Sequence, residues 1–116
     1  GLIASPDKSA YTAAKTGLVG FTRAAALEGG AHGITVNAIC PAFAATPLVM
    51  GQIADLARTR GIPEAEVVET VMLAPTAVRR FVEPAEIAEL VAYLCSDAAQ
   101  SVTGTAIPID GGWTAR

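Results

Sequence analysis

The stretch "SAYTAAKTG", Ser9 to Gly17, sets a tyrosine and a lysine four residues apart among small residues. Good helix formers, alanine above all, continue from Ser9 to about Glu28, with Ser9 as the expected N-cap and Gly29-Gly30 as the stop. On that helix Tyr11 and Lys15 share a face, about 6 Å apart along the axis at a rise of 1.5 Å per residue. A phenol with an ordinary pKa near 10 works as a base near neutrality only if that value falls by roughly 2–3 units, or about 3–4 kcal/mol. One positive charge ~4 Å away contributes on the order of 4 kcal/mol at an effective dielectric of 20, so a single well-placed ammonium suffices. For a bare YxxxK pair the commoner outcome is a packed tyrosine with the lysine extended into solvent, so the surrounding sequence has to decide.

Beyond the helix, "ITVNAIC", Ile34 to Cys40, is short, apolar and rich in branched residues between a glycine and a proline. It reads as a parallel strand buried on both faces. "PAFAATP" breaks it, and two helical, amphipathic segments follow, Leu48 to about Arg60 and Pro63 to about Leu73, as short helices over a cleft. "EPAEIAELVAYLCSD" is another helix, with Pro84 in its first turn and Ile87, Leu90, Val91 and Leu94 on its apolar face. A brief strand, Thr105 to Ile109, contains Pro108, which cannot donate to a ladder and places the strand at a sheet edge. The order is α/β with two good strands. At roughly 30 residues per βαβ unit, a chain of this length holds at most one half of a doubly wound nucleotide-binding sheet. No GxGxxG precedes a helix, so the chain reads as a C-terminal half and is expected not to bind a dinucleotide tightly alone.

The 116 residues suffice for one small domain, and 52% hydrophobic with 16% charged residues describes a globular chain. Net charge is −3 with no basic stripe, which argues against nucleic acid as a partner. Cys40 and Cys95 lack CxxC spacing and histidine partners, so no metal site is expected and both read as small apolar fillers in a reduced, cytoplasmic protein. No apolar run approaches the ~20 residues of a membrane span. His32 reads as a turn residue, Asn37 as a satisfied amide, Arg79-Arg80 as a solvated or ion-paired couple, and Asp110 before Gly111-Gly112 as part of a turn. Ala13, Gly17, Gly20 and Ala24 make one stripe of the first helix nearly flat, suited to close approach of another helix.

Taken in order, the YxxxK pair, "ITVNAICP", the P-x-x-x-x-T segment from Pro41 to Thr46 and "SDAAQSVTGTAIPIDGG" resemble the short-chain dehydrogenase/reductase family over essentially the whole chain. The resemblance implies a Rossmann-type sheet and an oxidoreductase that transfers hydride with NAD, of which residues 1–116 form the later part and residues 48–75 a helical substrate lid. "KSAY", "ATPLV", Gln52 and "DGGWTAR" resemble the bacterial members that interconvert (R)-3-hydroxybutyrate and acetoacetate. On that likeness Tyr11 is the acid/base and Lys15 supports it and holds the nicotinamide ribose. Pro41, Ala42, Phe43 and Thr46 line the cofactor. Lys8 holds the substrate carboxylate, Gln52 adds a hydrogen bond, and Phe43 and Trp113 border the pocket.

The chain departs from the family pattern at three positions: Ala42 stands in place of a usual glycine, Phe43 in place of a tryptophan and Ala45 in place of a longer residue. The family's catalytic serine and glycine-rich loop would fall before Gly1. The family also implies a small-molecule substrate and a homo-oligomer, typically a tetramer. Two other readings stand beside this one: a different short-chain reductase, such as one acting on 3-oxoacyl carrier proteins, and a non-catalytic interaction module.

Overall fold

The computed structural model describes residues 1–115; Arg116, the last residue of the "DGGWTAR" ending, lies outside them. Helix α1 spans Ser9–Gly29, strand β1 Ala38–Pro41, helix α2 Pro47–Arg60, the short helix α3 Glu64–Glu66, helix α4 Pro84–Leu94 and strand β2 Ala106–Ile109. The two strands form one sheet. Gly104 N–H donates to Val36 O (2.7 Å), Ala38 N–H to Thr105 O (2.9 Å) and Ala42 N–H to Ile109 O (3.3 Å). Both strands therefore ascend together, and the fold is α/β with a parallel pair. Among the described residues β2 has β1 as its only neighbour, which is the edge position Pro108 demands.

Local chemistry corrects three sequence expectations. The N-cap of α1 is Lys8, without a side-chain cap bond, and Ser9 is already helical. At the other end α1 stops at Gly29, where the glycine pair was expected to end it; Gly30 keeps right-handed geometry and the chain continues through a 3-10 turn, Gly30–His32, to Gly33 at φ 70°. The strand begins at Ala38 rather than Ile34, because the residues before it bond through side chains. Val36 N–H donates to Thr103 Oγ1 (3.0 Å), and Asn37 donates to Val102 O (2.8 Å) while accepting from Thr105 N–H (3.3 Å). Asn37 is thus satisfied, as expected, but β1 is half-buried rather than covered on both faces.

The chain divides into two compact units, Gly1–Cys40 with Ala88–Pro108, and Pro41–Ile87 with the residues from Ile109 onward. In the first, α1 buries Val19, Thr22 and Ala26, a narrow stripe at helical spacing. The Thr22 hydroxyl donates to Leu18 O at 2.9 Å, so its burial leaves no polar atom unpaired. The flat stripe of Ala13, Gly17, Gly20 and Ala24 is exposed. His32 is exposed in its turn; Cys40 is half-buried and Cys95 exposed, so the reading as a filler fits Cys40 alone.

In the second unit Val49 and Ile53 of α2 pack with Val67 and Met72, and Phe43, Leu56, Ile62 and Phe81 close around them. The segment expected as a helix from Pro63 to about Leu73 begins at the N-cap Pro63, makes one turn of α3 and then becomes a π-helix, Val67–Met72. Its register shows in the bond from Leu73 N–H to Val68 O, five residues back. That wider turn buries Val67 and Met72 together in the core.

Helix α4 starts at Pro84, and the residues around its start form a closed hydrogen-bond set. Arg80 grips Glu86 with both terminal nitrogens at 2.7 Å, while Glu86 also accepts from Glu83 N–H at 2.8 Å. The Arg80 bond, reinforced by that N–H, pulls the Glu86 carboxyl down to about 2. A carboxyl lowered on folding stabilises above its ordinary value of 4.5 and loses that stabilisation as pH falls toward about 2. Thermal melts of Glu86→Gln beside the parent chain are expected to differ most above that range and to converge as pH drops through it. A gap independent of pH would place the stabilisation elsewhere.

Candidate active site

In the first unit, Tyr11 and Lys15 lie one helical turn apart on α1. The Lys15 ammonium sits 5.6 Å from the Tyr11 ring centroid. It lies over the ring face rather than beside the hydroxyl, an arrangement worth ~0.5–1 kcal/mol at an exposed site. Tyr11 is 61% exposed, so water screens the pair. Exposed side chains change rotamer in picoseconds to nanoseconds, so the ammonium can serve either the ring or the oxygen. Lys8 is the N-cap of the same helix, its carbonyl accepting from Thr12 N–H at 2.8 Å, and its side chain is exposed.

In the second unit the structure brings Phe43 and Trp113 together. Their rings stack with centroids 5.8 Å apart and 29° between planes, although seventy residues separate them in sequence. Backbone bonds hold both rings: Val82 N–H donates to Phe43 O at 3.0 Å, and Trp113 N–H donates to Asp110 O at 3.2 Å. Ala44 makes a parallel bridge with Val82. Pro41 is exposed at the end of β1, and Ala42 keeps the ladder bond to Ile109.

Thr46 is the N-cap of α2, accepting weakly from Val49 N–H at 3.4 Å, with Pro47 in the first turn. That capping role follows from a threonine before a proline-led helix. The start of α2 is also a site of partial positive charge, suited to an anionic group. Gln52 stands one and a half turns along α2 with its side chain exposed.

Asp110, read from sequence as part of a turn, holds that turn through its carboxylate. Its Oδ1 accepts from Gly112 N–H (3.0 Å) and its Oδ2 from Thr114 N–H (3.0 Å) and the Thr114 hydroxyl (2.7 Å). Burial pushes its carboxyl up, but the bonds from Thr114, Gly112 and Trp113 outweigh burial and hold it below the usual range. An aspartate two residues before a glycine and four before a threonine is the signal of an Asx-type turn. Among the described residues no group of three or more His, Cys, Asp and Glu could hold a metal ion, and no helix is long and apolar enough to cross a membrane.

A parallel α/β fold with tyrosine and lysine one turn apart on an exposed helix face is what a short-chain dehydrogenase/reductase is built from, and the chain belongs to that family. A family model described as Enoyl-(Acyl carrier protein) reductase matches residues 1–114. The chain is 51% identical over its whole length to D-beta-hydroxybutyrate dehydrogenase of Rhizobium meliloti and 45% identical to that of Cupriavidus necator. It spans 45% of each of those relatives. Among solved structures, a short chain dehydrogenase family protein from Francisella tularensis superposes with a TM-score of 0.91 at 38% identity, over 98% of this chain and 47% of that one. The F189W actinorhodin polyketide ketoreductase with NADPH gives 0.85 at 35% identity, covering 96% and 42% of the two chains. 4-Hydroxyisoleucine dehydrogenase complexed with NADH gives 0.74 at 32% identity, covering 99% and 42%.

Proposed function

We propose that this chain carries the proton-transfer pair and the apolar substrate wall of an NAD-dependent oxidoreductase that interconverts (R)-3-hydroxybutyrate and acetoacetate. The observation that supports it most is the Lys15 ammonium 5.6 Å from the Tyr11 ring on an exposed face of α1. A nicotinamide cofactor, when bound, would supply the hydride acceptor for the carbon bearing the hydroxyl, and the hydride donor in the reverse direction. Tyr11 takes the hydroxyl proton as the carbonyl forms, and gives it back in reduction. Lys15 stabilises the phenolate and donates to the cofactor ribose, which suits a side chain able to swing between ring and oxygen. Pro41, Ala42, Phe43 and Thr46 line the nicotinamide, the Thr46 hydroxyl and the start of α2 offering polar groups to the cofactor.

Lys8 pairs with the substrate carboxylate and Gln52 donates a hydrogen bond. The Phe43–Trp113 stack suits the methyl and methylene groups of a four-carbon acid, with residues 48–75 as the helical cover of the pocket. The test is a chimera in which this chain replaces the matching part of the Rhizobium meliloti relative. It is expected to oxidise (R)-3-hydroxybutyrate with NAD. Faster turnover of a 3-oxoacyl thioester would move the reading to a carrier-protein reductase.

The assembly we propose is a homo-oligomer, a tetramer as in the family, with the Ala13/Gly17/Gly20/Ala24 stripe against a second copy. A methyl group added at Gly17 or Gly20 meets nothing within 4 Å in this chain, and Phe21 beside them is 66% exposed. Gly20→Leu therefore costs nothing by clash inside one chain and gains up to about 1 kcal/mol of helix propensity. In a helix-helix contact the same change overpacks by ~1–3 kcal/mol. Sedimentation is expected to show the chimera's assembly weakened; unchanged mass and melting temperature would leave the stripe facing water.

A further inference from the structure

We infer that Asp110 is a positioning residue for substrate: its carboxylate closes the Gly111-Gly112 turn and so fixes the Trp113 indole on Phe43. The inference rests on the reading of Phe43 and Trp113 as the substrate wall. Three consecutive N–H groups end on this one aspartate. Those of Gly112 and Thr114 reach the carboxylate oxygens, each at 3.0 Å, and that of Trp113 reaches the Asp110 carbonyl at 3.2 Å. The Trp113 backbone is thereby bracketed on both sides. The Thr114 hydroxyl adds a shorter bond of 2.7 Å to the same oxygen that its N–H uses.

The turn is anchored in its turn to the segment that carries the other ring. Gly111 O accepts from Ala77 N–H (2.8 Å) and Val78 N–H (2.9 Å), and that segment runs on to Val82, whose N–H holds Phe43. Both glycines are left-handed, Gly111 at φ 62° and Gly112 at φ 85°. A Cβ at Gly111 would stand 3.0 Å from Val78 O, and one at Gly112 3.1 Å from Ala77 Cβ. Backbone conformation and close approach therefore both require glycine here. Two adjacent glycines are the most flexible pair a chain can have, and beyond the bonds to Gly111 O and from Trp113 N–H to the Asp110 carbonyl, it is the carboxylate that holds the N–H groups of Gly112 and Thr114. Its charge strengthens those bonds.

The experiment uses Asp110→Asn, which keeps the size and loses the charge, and Thr114→Val, which removes only the hydroxyl bond. Trp113 is the single tryptophan of the chain, so its emission and near-ultraviolet dichroism report the indole directly and need no activity. Asp110→Asn is expected to shift the emission to longer wavelength and weaken the dichroism, with Thr114→Val moving both in the same direction by less. If Asp110→Asn fails to fold, Thr114→Val decides alone. In the chimera, KM for hydroxybutyrate is expected to rise roughly two- to tenfold at unchanged kcat, the worth of one aromatic contact. Unchanged indole signals in the folded variants overturn the positioning role. Altered signals with unchanged KM instead overturn the reading of Phe43 and Trp113 as substrate wall, and with it the part Asp110 plays in binding.

Discussion

Lys15→Ala in the chimera is expected to depress kcat and kcat/KM together, by roughly 10²–10³-fold. The size follows from what a phenol needs to act as a base near neutrality, about 3–4 kcal/mol, at 1.36 kcal/mol per factor of ten. The ammonium stands over the Tyr11 ring at 5.6 Å, with Tyr11 61% exposed. In that geometry the interaction is nearer the ~1 kcal/mol of two charges in bulk water than the ~4 kcal/mol of a partly enclosed pair. The full effect of Lys15 is therefore expected only with substrate and cofactor covering the pair. An interaction that strengthens as the proton moves lowers kcat when lost, rather than raising KM. Lys15→Arg keeps a positive charge and is expected to recover part of the loss. A rise in KM at constant kcat would instead make Lys15 a binding residue only.

Most of the helical framework was legible because its signals are local. Pro84 opens α4 where a missing N–H costs nothing, and alanine-rich sequence writes α1 plainly; Pro47, read as the end of the break before α2, is its first residue. What was not legible depends on partners far along the chain. The start of β1 is set by Thr103 and by the bonds of Asn37 to Val102 and Thr105, about 65 residues away, and no periodicity in "ITVNAIC" carries that. The π-turn at Val67–Met72 escapes because "VVETVM" suits bonding five residues back no worse than four.

The candidate site divides the same way. Spacing puts Tyr11 and Lys15 on one face, because a helix makes four residues about one turn, but it was the motifs around the pair that favoured chemistry over a packed tyrosine. Phe43 and Trp113 are joined only by the fold and were reached in sequence through family resemblance. Asp110 was read correctly as a turn, but what its carboxylate holds depends on where Trp113 points, which no local pattern states.

The most direct test of the account is the kinetics of Lys8→Ala on an acid and on its ester, because the account rests on a substrate with a carboxylate to hold. Lys8 caps α1 three residues before Tyr11, so a carboxylate held there lies at the same helix start as the proposed acid/base. Losing a charge-assisted hydrogen bond made throughout the reaction is expected to raise KM for (R)-3-hydroxybutyrate by about 1.5–3 kcal/mol, or roughly 10–150-fold, with kcat little changed. The neutral ester has no carboxylate and is expected to be far less affected by the same change. Equal losses on acid and ester would remove the carboxylate role from Lys8 and contradict the hydroxy-acid assignment.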